Sequence, residues 1–114
     1  MTKSFGQLIL QARQEKGYSQ RDLAKLVGLD FTYLSKLEND HADYAPKENA
    51  IRKLAEHLEL DAEKLIFLVG RIPLCYVPLL KAHYKKMPVL FCQMRKNPKF
   101  AQRIFNQLTL EEMQ

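Results

Sequence analysis

The stretch SQRDLAKLVGLDFTYLSKLEN, residues 19–39, constrains this 114-residue chain more than any other part of it. It holds two apolar patterns, Leu23/Val27 and Leu34/Leu37, on either side of Gly28. Each pattern is too short to form a helix that stands alone in water. Two such helices exist only if they fold against each other and against further helices. A link of three or four residues makes them cross steeply. The crossing demands a small side chain, and the turn demands a residue that tolerates positive φ. Ala24 and Gly28 stand where those demands fall. Leu23, Val27, Leu29, Leu34 and Leu37 then share a core, and the N-terminal half of the second helix faces water.

The rest of the chain supplies helices for that pair to pack on. Phe5, Leu8, Ile9 and Ala12 recur at helical spacing and predict a first helix over about 4–16, stopped by Gly17. Ser19, with Asp22 three residues on, predicts the start of a second helix over about 20–27, and Asp30 caps a third over about 31–39. The turn-rich loop NDHADYAP ends in a proline suited to a helix start. A fourth helix over about 47–58 follows, with Ile51, Leu54, Ala55 and Leu58 inward, then a fifth over about 62–69, opened by Asp61 and closed by Gly70. GRIP, residues 70–73, reads as a hinge, after which prolines 78, 88 and 98 punctuate helical segments near 78–86, 89–96 and 99–108. Hairpin signals and strand-like alternation are lacking. The expected fold is all-α, with a domain over 1–70 and a helical tail over 71–114.

Several function classes fall away. Apolar residues are 46% and charged residues 27%, the balance of a globule rather than a disordered chain. No apolar run approaches the roughly 18–20 residues of a membrane span. The N-terminus lacks a small-residue cleavage site, so the expected location is the cytoplasm. Cys75 and Cys92 form no CxxC with the scattered His41, His57 and His83, which predicts two buried thiols and no metal. No glycine-rich phosphate loop and no nucleophile–base set can be placed, so neither a cofactor nor catalysis is expected. Net charge is +5, which suits a polyanionic partner, but it is uneven. Residues 1–70 carry ten basic and eleven acidic side chains, and residues 71–114 carry eight and two.

The fragments GYSQRDLAKLVGLD, TYLSKLEN and PKENAIRKLAEHLELDAEKL, in this order and spacing, resemble the helix-turn-helix of the Cro/CI (XRE) regulators. The resemblance covers about residues 4–69 and implies a five-helix, lambda-repressor-like domain that binds double-stranded DNA. It implies that Gln20 bonds a phosphate and braces the recognition helix. Phe31, Thr32, Tyr33, Ser35 and Lys36 become the groove-facing candidates. Thr32 and Lys36 lie one turn apart; Lys36 could donate to guanine O6/N7, and Thr32 could meet a base edge or a thymine methyl. Tyr33, Asn39 and His41 are candidate phosphate contacts. Arg13 and Glu38 stand where relatives place an ion pair that orients the recognition helix. The chain departs from the pattern twice. Glu38-Asn39-Asp40 replaces the usual E-x-G, and Phe31 replaces a polar base-reading residue, to meet a thymine methyl or to pack back on the domain.

In the tail, Val89, Leu90, Phe91 and Met94 form one apolar segment, and Phe100, Ile104, Phe105 and Leu108 recur as a helical stripe. We expect these eight residues to form a dimer interface, since a two-fold dimer doubles the contact with a palindromic operator. The tail's basic side chains suit DNA flanks, an acidic protein partner or plain solubility. The expected function is a bacterial or phage regulator, a homodimeric repressor. The alternative is a protein-interaction module on the same scaffold, such as an antitoxin or anti-activator.

Overall fold

The computed structural model describes residues 3–108. Among them every regular element is helical: α1 (Phe5–Lys16), α2 (Gln20–Val27), α3 (Phe31–Glu38), α4 (Glu48–Leu58), α5 (Ala62–Leu68), α6 (Val77–Ala82), α7 (Met87–Lys96) and α8 (Pro98–Asn106). A single 3₁₀ turn, Leu74–Tyr76, precedes α6. The chain divides into two units, the first ending at Leu74 and the second starting at Cys75.

In the first unit, local chemistry marks the helix ends. Ser4 and Gln7 form a reciprocal capping box at the start of α1, and Ser19 accepts the Asp22 N–H at the start of α2. Asp30 accepts the Thr32 and Tyr33 N–H groups, and Asp61 accepts that of Lys64. Gly28 takes φ 71°, and Leu29 N donates back to Ala24 O at 2.9 Å, which closes α2 and turns the chain into α3. α2 packs on α3 and α4, α1 on α3 and α4, and α5 on α4. Ile9, Leu23, Leu34, Ile51, Leu54 and Ile66 are fully buried where these helices meet, and Ala24 is only 3% exposed. Burial of that kind, rather than helix propensity, holds elements as short as α2 and α3 in place.

Four local features go beyond what the sequence suggests. The turn after α3 is made without glycine: Asp40 itself takes φ 58°, and His41 N donates to Lys36 O at 2.8 Å. The Ser4 hydroxyl donates to the Asp40 carboxylate at 2.8 Å and helps hold this uncommon conformation. Gly6 is needed for close approach, since a Cβ there would lie 2.3 Å from the Leu37 carbonyl oxygen. Pro46 does not open α4. Lys47 is the N-cap residue, with no side-chain bond, while Pro46 is buried and its carbonyl accepts Arg71 Nε at 2.8 Å. Arg71 and Leu74, just beyond Gly70, are bonded within the first unit. Arg71 also donates to Ala45 O, Pro73 is fully buried, and Leu74 N donates to Glu48 Oε1.

The second unit contains α6, α7 and α8. Each carries its proline in the first turn, where the missing N–H costs no intrahelical bond. Asn97 caps α8 by accepting the Phe100 N–H, and α7 packs on α8. No described residue of this unit is buried. Leu90, Met94, Phe100 and Ile104 are half-buried, whereas Val89, Phe91, Phe105 and Leu108 are exposed. Cys75 is exposed and Cys92 half-buried, which corrects the expectation of two buried thiols: the described residues of this unit form no interior to bury them in.

Candidate nucleic-acid interface

The position of α3 is set by a polar knot beneath it. The Glu38 side chain is 1% exposed, and a carboxylate so placed must be paired. Arg13 Nε donates to Glu38 Oε2 at 2.7 Å and Arg13 Nη2 to Oε1 at 3.0 Å, a two-pronged contact. Gln20 Nε2 donates to the same Oε1 at 2.8 Å, and Arg13 Nη1 donates to Tyr18 O at 2.9 Å. One buried carboxylate thereby joins α1, the start of α2 and the end of α3. Among the described residues no buried side-chain polar atom is left without a partner. Gln20 is half-buried, and one of its amide hydrogens is committed to this knot.

With Leu34, Leu37 and Glu38 turned inward, the opposite face of α3 is presented to solvent. Thr32 and Lys36 are exposed on it, and Ser35 is half-buried between them. Asn39 is exposed, with its amide donating to Ser35 O at 2.8 Å, and His41 is exposed just beyond. Phe31, the first residue of α3, is 38% exposed and lies under the Arg21 guanidinium, whose Cζ is 4.7 Å from the ring centroid. The ring is therefore outside the core, and one of its faces is covered by a cation.

Tyr33 binds the loop between α3 and α4. Its ring stacks on that of Tyr44, with centroids 4.8 Å apart and planes 15° from parallel. Its hydroxyl donates to the Tyr44 carbonyl at 2.9 Å. Burial raises the Tyr33 hydroxyl above its ordinary pKa, Tyr44 adds to the rise, and Arg71 opposes it. The O–H of Tyr33 thus serves the loop, and Tyr44, 67% exposed, presents its outer ring face beside α3.

A groove of ≈ 320 Å³ runs from the α2–α3 turn past Tyr33 and Tyr44 to the start of α4, where Lys47, Asn49 and Lys53 line it. A hollow beside it is lined by Thr32 and Lys36 together with Asp30 and Asp43, so this surface is of mixed charge. The sequence reading missed Arg21, Tyr44, Lys47, Asn49 and Lys53. The basic and polar residues opening α4 were a usable signal, whereas nothing in the spacing marks Tyr44 or the stacking of Arg21. The arrangement offers hydroxyl, amide, ammonium and guanidinium donors along and beside one projecting helix, and it places no nucleophile next to a base.

Residues 9–65 match the model of the family described as "Helix-turn-helix". The chain is 36% identical over 63 residues to the 10 kDa protein of the ImmF control region of Bacillus phage phi105, which covers 55% of this chain and 68% of that protein. Among solved structures, the complex of SinR protein with SinI protein contains a chain that is 24% identical and superposes with a TM-score of 0.50. The match covers 87% of this chain and 98% of that one, and it shows a shared fold.

Proposed function

The chain belongs to the helix-turn-helix family of Cro/CI (XRE) type and is a DNA-binding transcription regulator; from that premise we propose that it is a homodimeric repressor of a palindromic operator. The observation that carries this reading is the outer face of α3, with Thr32, Ser35 and Lys36 held outward by the buried Arg13–Glu38–Gln20 knot. A helix so braced enters the major groove as a rigid body, and its donors meet base edges without first losing rotational freedom. Lys36 is assigned to guanine, and Thr32 to a neighbouring base edge. Asn39, His41, Lys47 and Lys53 are assigned to phosphates, which position the helix without specifying sequence. Gln20 reaches a phosphate with the amide hydrogen that Glu38 leaves over. Val89, Phe91, Phe105 and Leu108 join two copies, so that two α3 helices reach half-sites about 34 Å apart. The protein acts in the cytoplasm, by occupying DNA rather than by chemistry.

The test has two parts. Selection from a random duplex library at two salt concentrations is expected to enrich a palindrome, and Lys36→Ala is expected to weaken binding to it by about 1–3 kcal/mol while leaving the unfolding free energy within about 0.5 kcal/mol. A chain ending at Leu74 is expected to sediment as a monomer where the full chain sediments as a dimer, and a truncated form that stays dimeric removes the tail from the interface. A second reading, a protein-interaction module, is favoured by the exposed apolar side chains of the second unit. It becomes the better account if no DNA is retained even at low salt.

A further inference from the structure

We infer that Arg21, outside α3, is a specificity-determining residue that reads a guanine, with Phe31 as the ring over which its guanidinium is held. The inference rests on the DNA-reading role proposed above and extends it to a residue of α2. Arg21 is the second residue of α2 and is exposed, and its guanidinium carbon lies 4.7 Å from the centre of the Phe31 ring. Phe31 is the first residue of α3, at the helix end whose residues meet base edges in this docking geometry. A guanidinium carries its N–H donors in its own plane, and with only its carbon over the Phe31 ring it has donors left that reach beyond the ring edge. Among the described residues no hydrogen bond or ion pair takes up those donors. Asp30, the N-cap of α3, turns its Oδ1 to Thr32 N and Tyr33 N and makes no ion pair with Arg21.

The pairing explains two features at once. A large apolar side chain stands half in solvent at the start of α3 because the cation covers one of its faces. A long, flexible arginine is fixed before any ligand arrives, so the ordering cost of binding is reduced in advance. A planar fork with free in-plane donors matches one base edge best, the O6/N7 pair of guanine in the major groove. The structure therefore offers two guanine-directed cations per copy, Lys36 from α3 and Arg21 from α2.

The experiment uses the full chain. Bound duplexes are selected from a random library by the wild type, Arg21→Lys, Arg21→Ala and Phe31→Leu, with thermal unfolding confirming that each variant is folded. The wild-type motif is expected to contain a guanine in each half-site that Arg21→Ala and Arg21→Lys both cease to prefer, while the other positions persist. Affinity for the selected site should fall on the order of 5- to 150-fold, the worth of one bidentate base contact. Phe31→Leu keeps the arginine but removes the ring, and should weaken the same guanine preference by a smaller factor. The inference is overturned if Arg21→Ala weakens all sequences equally and lowers the salt slope by about one, which marks a phosphate contact. It is also overturned if Arg21→Lys selects the wild-type motif. A wild type that enriches no motif at either salt concentration overturns the DNA reading itself, and this inference with it.

Discussion

The first unit and the second are both built of short helices with apolar stripes, yet only the first hides its apolar side chains. In residues 3–74 seven large side chains, Pro73 among them, are fully buried, and the single buried carboxylate has donors on two other side chains. In residues 75–108 nothing is buried, and Leu79, Val89, Phe91, Phe105 and Leu108 are each more than half exposed. Amphipathic periodicity is a promise of burial, and burial is fulfilled only where a second apolar face lies opposite. Five helices crossing at several angles supply such faces to one another. The packed pair α7 and α8 has one shared seam and leaves its outer faces bare. Exposed apolar groups gathered on so short a segment are what the proposed self-association rests on.

The comparison breaks first at the polar knot. Arg13→Ala leaves the Glu38 carboxylate buried without its main partner, and we expect it to cost about 3–5 kcal/mol in urea unfolding. A loss below about 1 kcal/mol would mean that water reaches Glu38 and that the first unit is less closed than described. Matched truncations sharpen the contrast. Leu54→Ala in the first unit is expected to cost about 2–5 kcal/mol, because Leu54 is fully buried and leaves a cavity. Phe105→Ala removes a larger side chain, but one that is 54% exposed. It is expected to change the unfolding of the first unit by no more than about 0.5 kcal/mol while weakening self-association in sedimentation. Equal losses for the two substitutions would erase the distinction between the units.

What the sequence disclosed follows the same line. Helix ends were legible because caps and prolines act within three or four residues: Ser19, Asp30 and Asp61 cap as expected, and the three tail prolines open their helices. The turn at Gly28 was legible because its conformation is demanded locally. Contacts between residues far apart in the chain left no local trace. Gly6 is needed only because the Leu37 carbonyl comes within reach, 31 positions later. Tyr44 stacks on Tyr33 across a loop with no periodicity, and Arg21 finds Phe31 only after α2 and α3 have crossed. The tail shows the converse: its stripe of Phe100, Ile104, Phe105 and Leu108 was plain, but spacing says which residues align and not what covers them. Pairing of Arg13 with Glu38 came from family resemblance alone, since nothing in their spacing of 25 predicts a two-pronged contact.

A smaller effect separates the loop from the helices that flank it. Tyr33→Phe keeps the stack on Tyr44 and deletes only the hydroxyl bond to its carbonyl. The expected cost is about 0.5–1.5 kcal/mol, with faster hydrogen exchange confined to residues near 41–45. Exchange that instead quickens throughout α4 would place the tyrosine pair in the core and not over the loop.

The smallest expected effect lies at the border between the units, in Glu48. Its carboxyl is held below the ordinary carboxylate value, first by the Leu74 N–H and then by Arg52. The folded form therefore binds its proton at lower pH than the unfolded form does. Between those two values the unfolded state carries more protons, and stability rises with pH. The contribution is fully present above the unfolded value and is lost as pH falls through the folded one. Glu48→Gln should thus lower neutral stability slightly, converge with the wild type in acid, and so flatten the acid limb of a pH–stability curve. Glu59 behaves similarly, with Lys16 as the first cause, and a double substitution should flatten the limb further. Because Leu74 is the last residue of the first unit, protonating Glu48 loosens the point from which the second unit departs. Hydrogen exchange at the Leu74 amide should quicken on acidification before the amides of α4 do. If the two change together, the strap from Arg71 to Leu74 belongs to the core rather than to its edge.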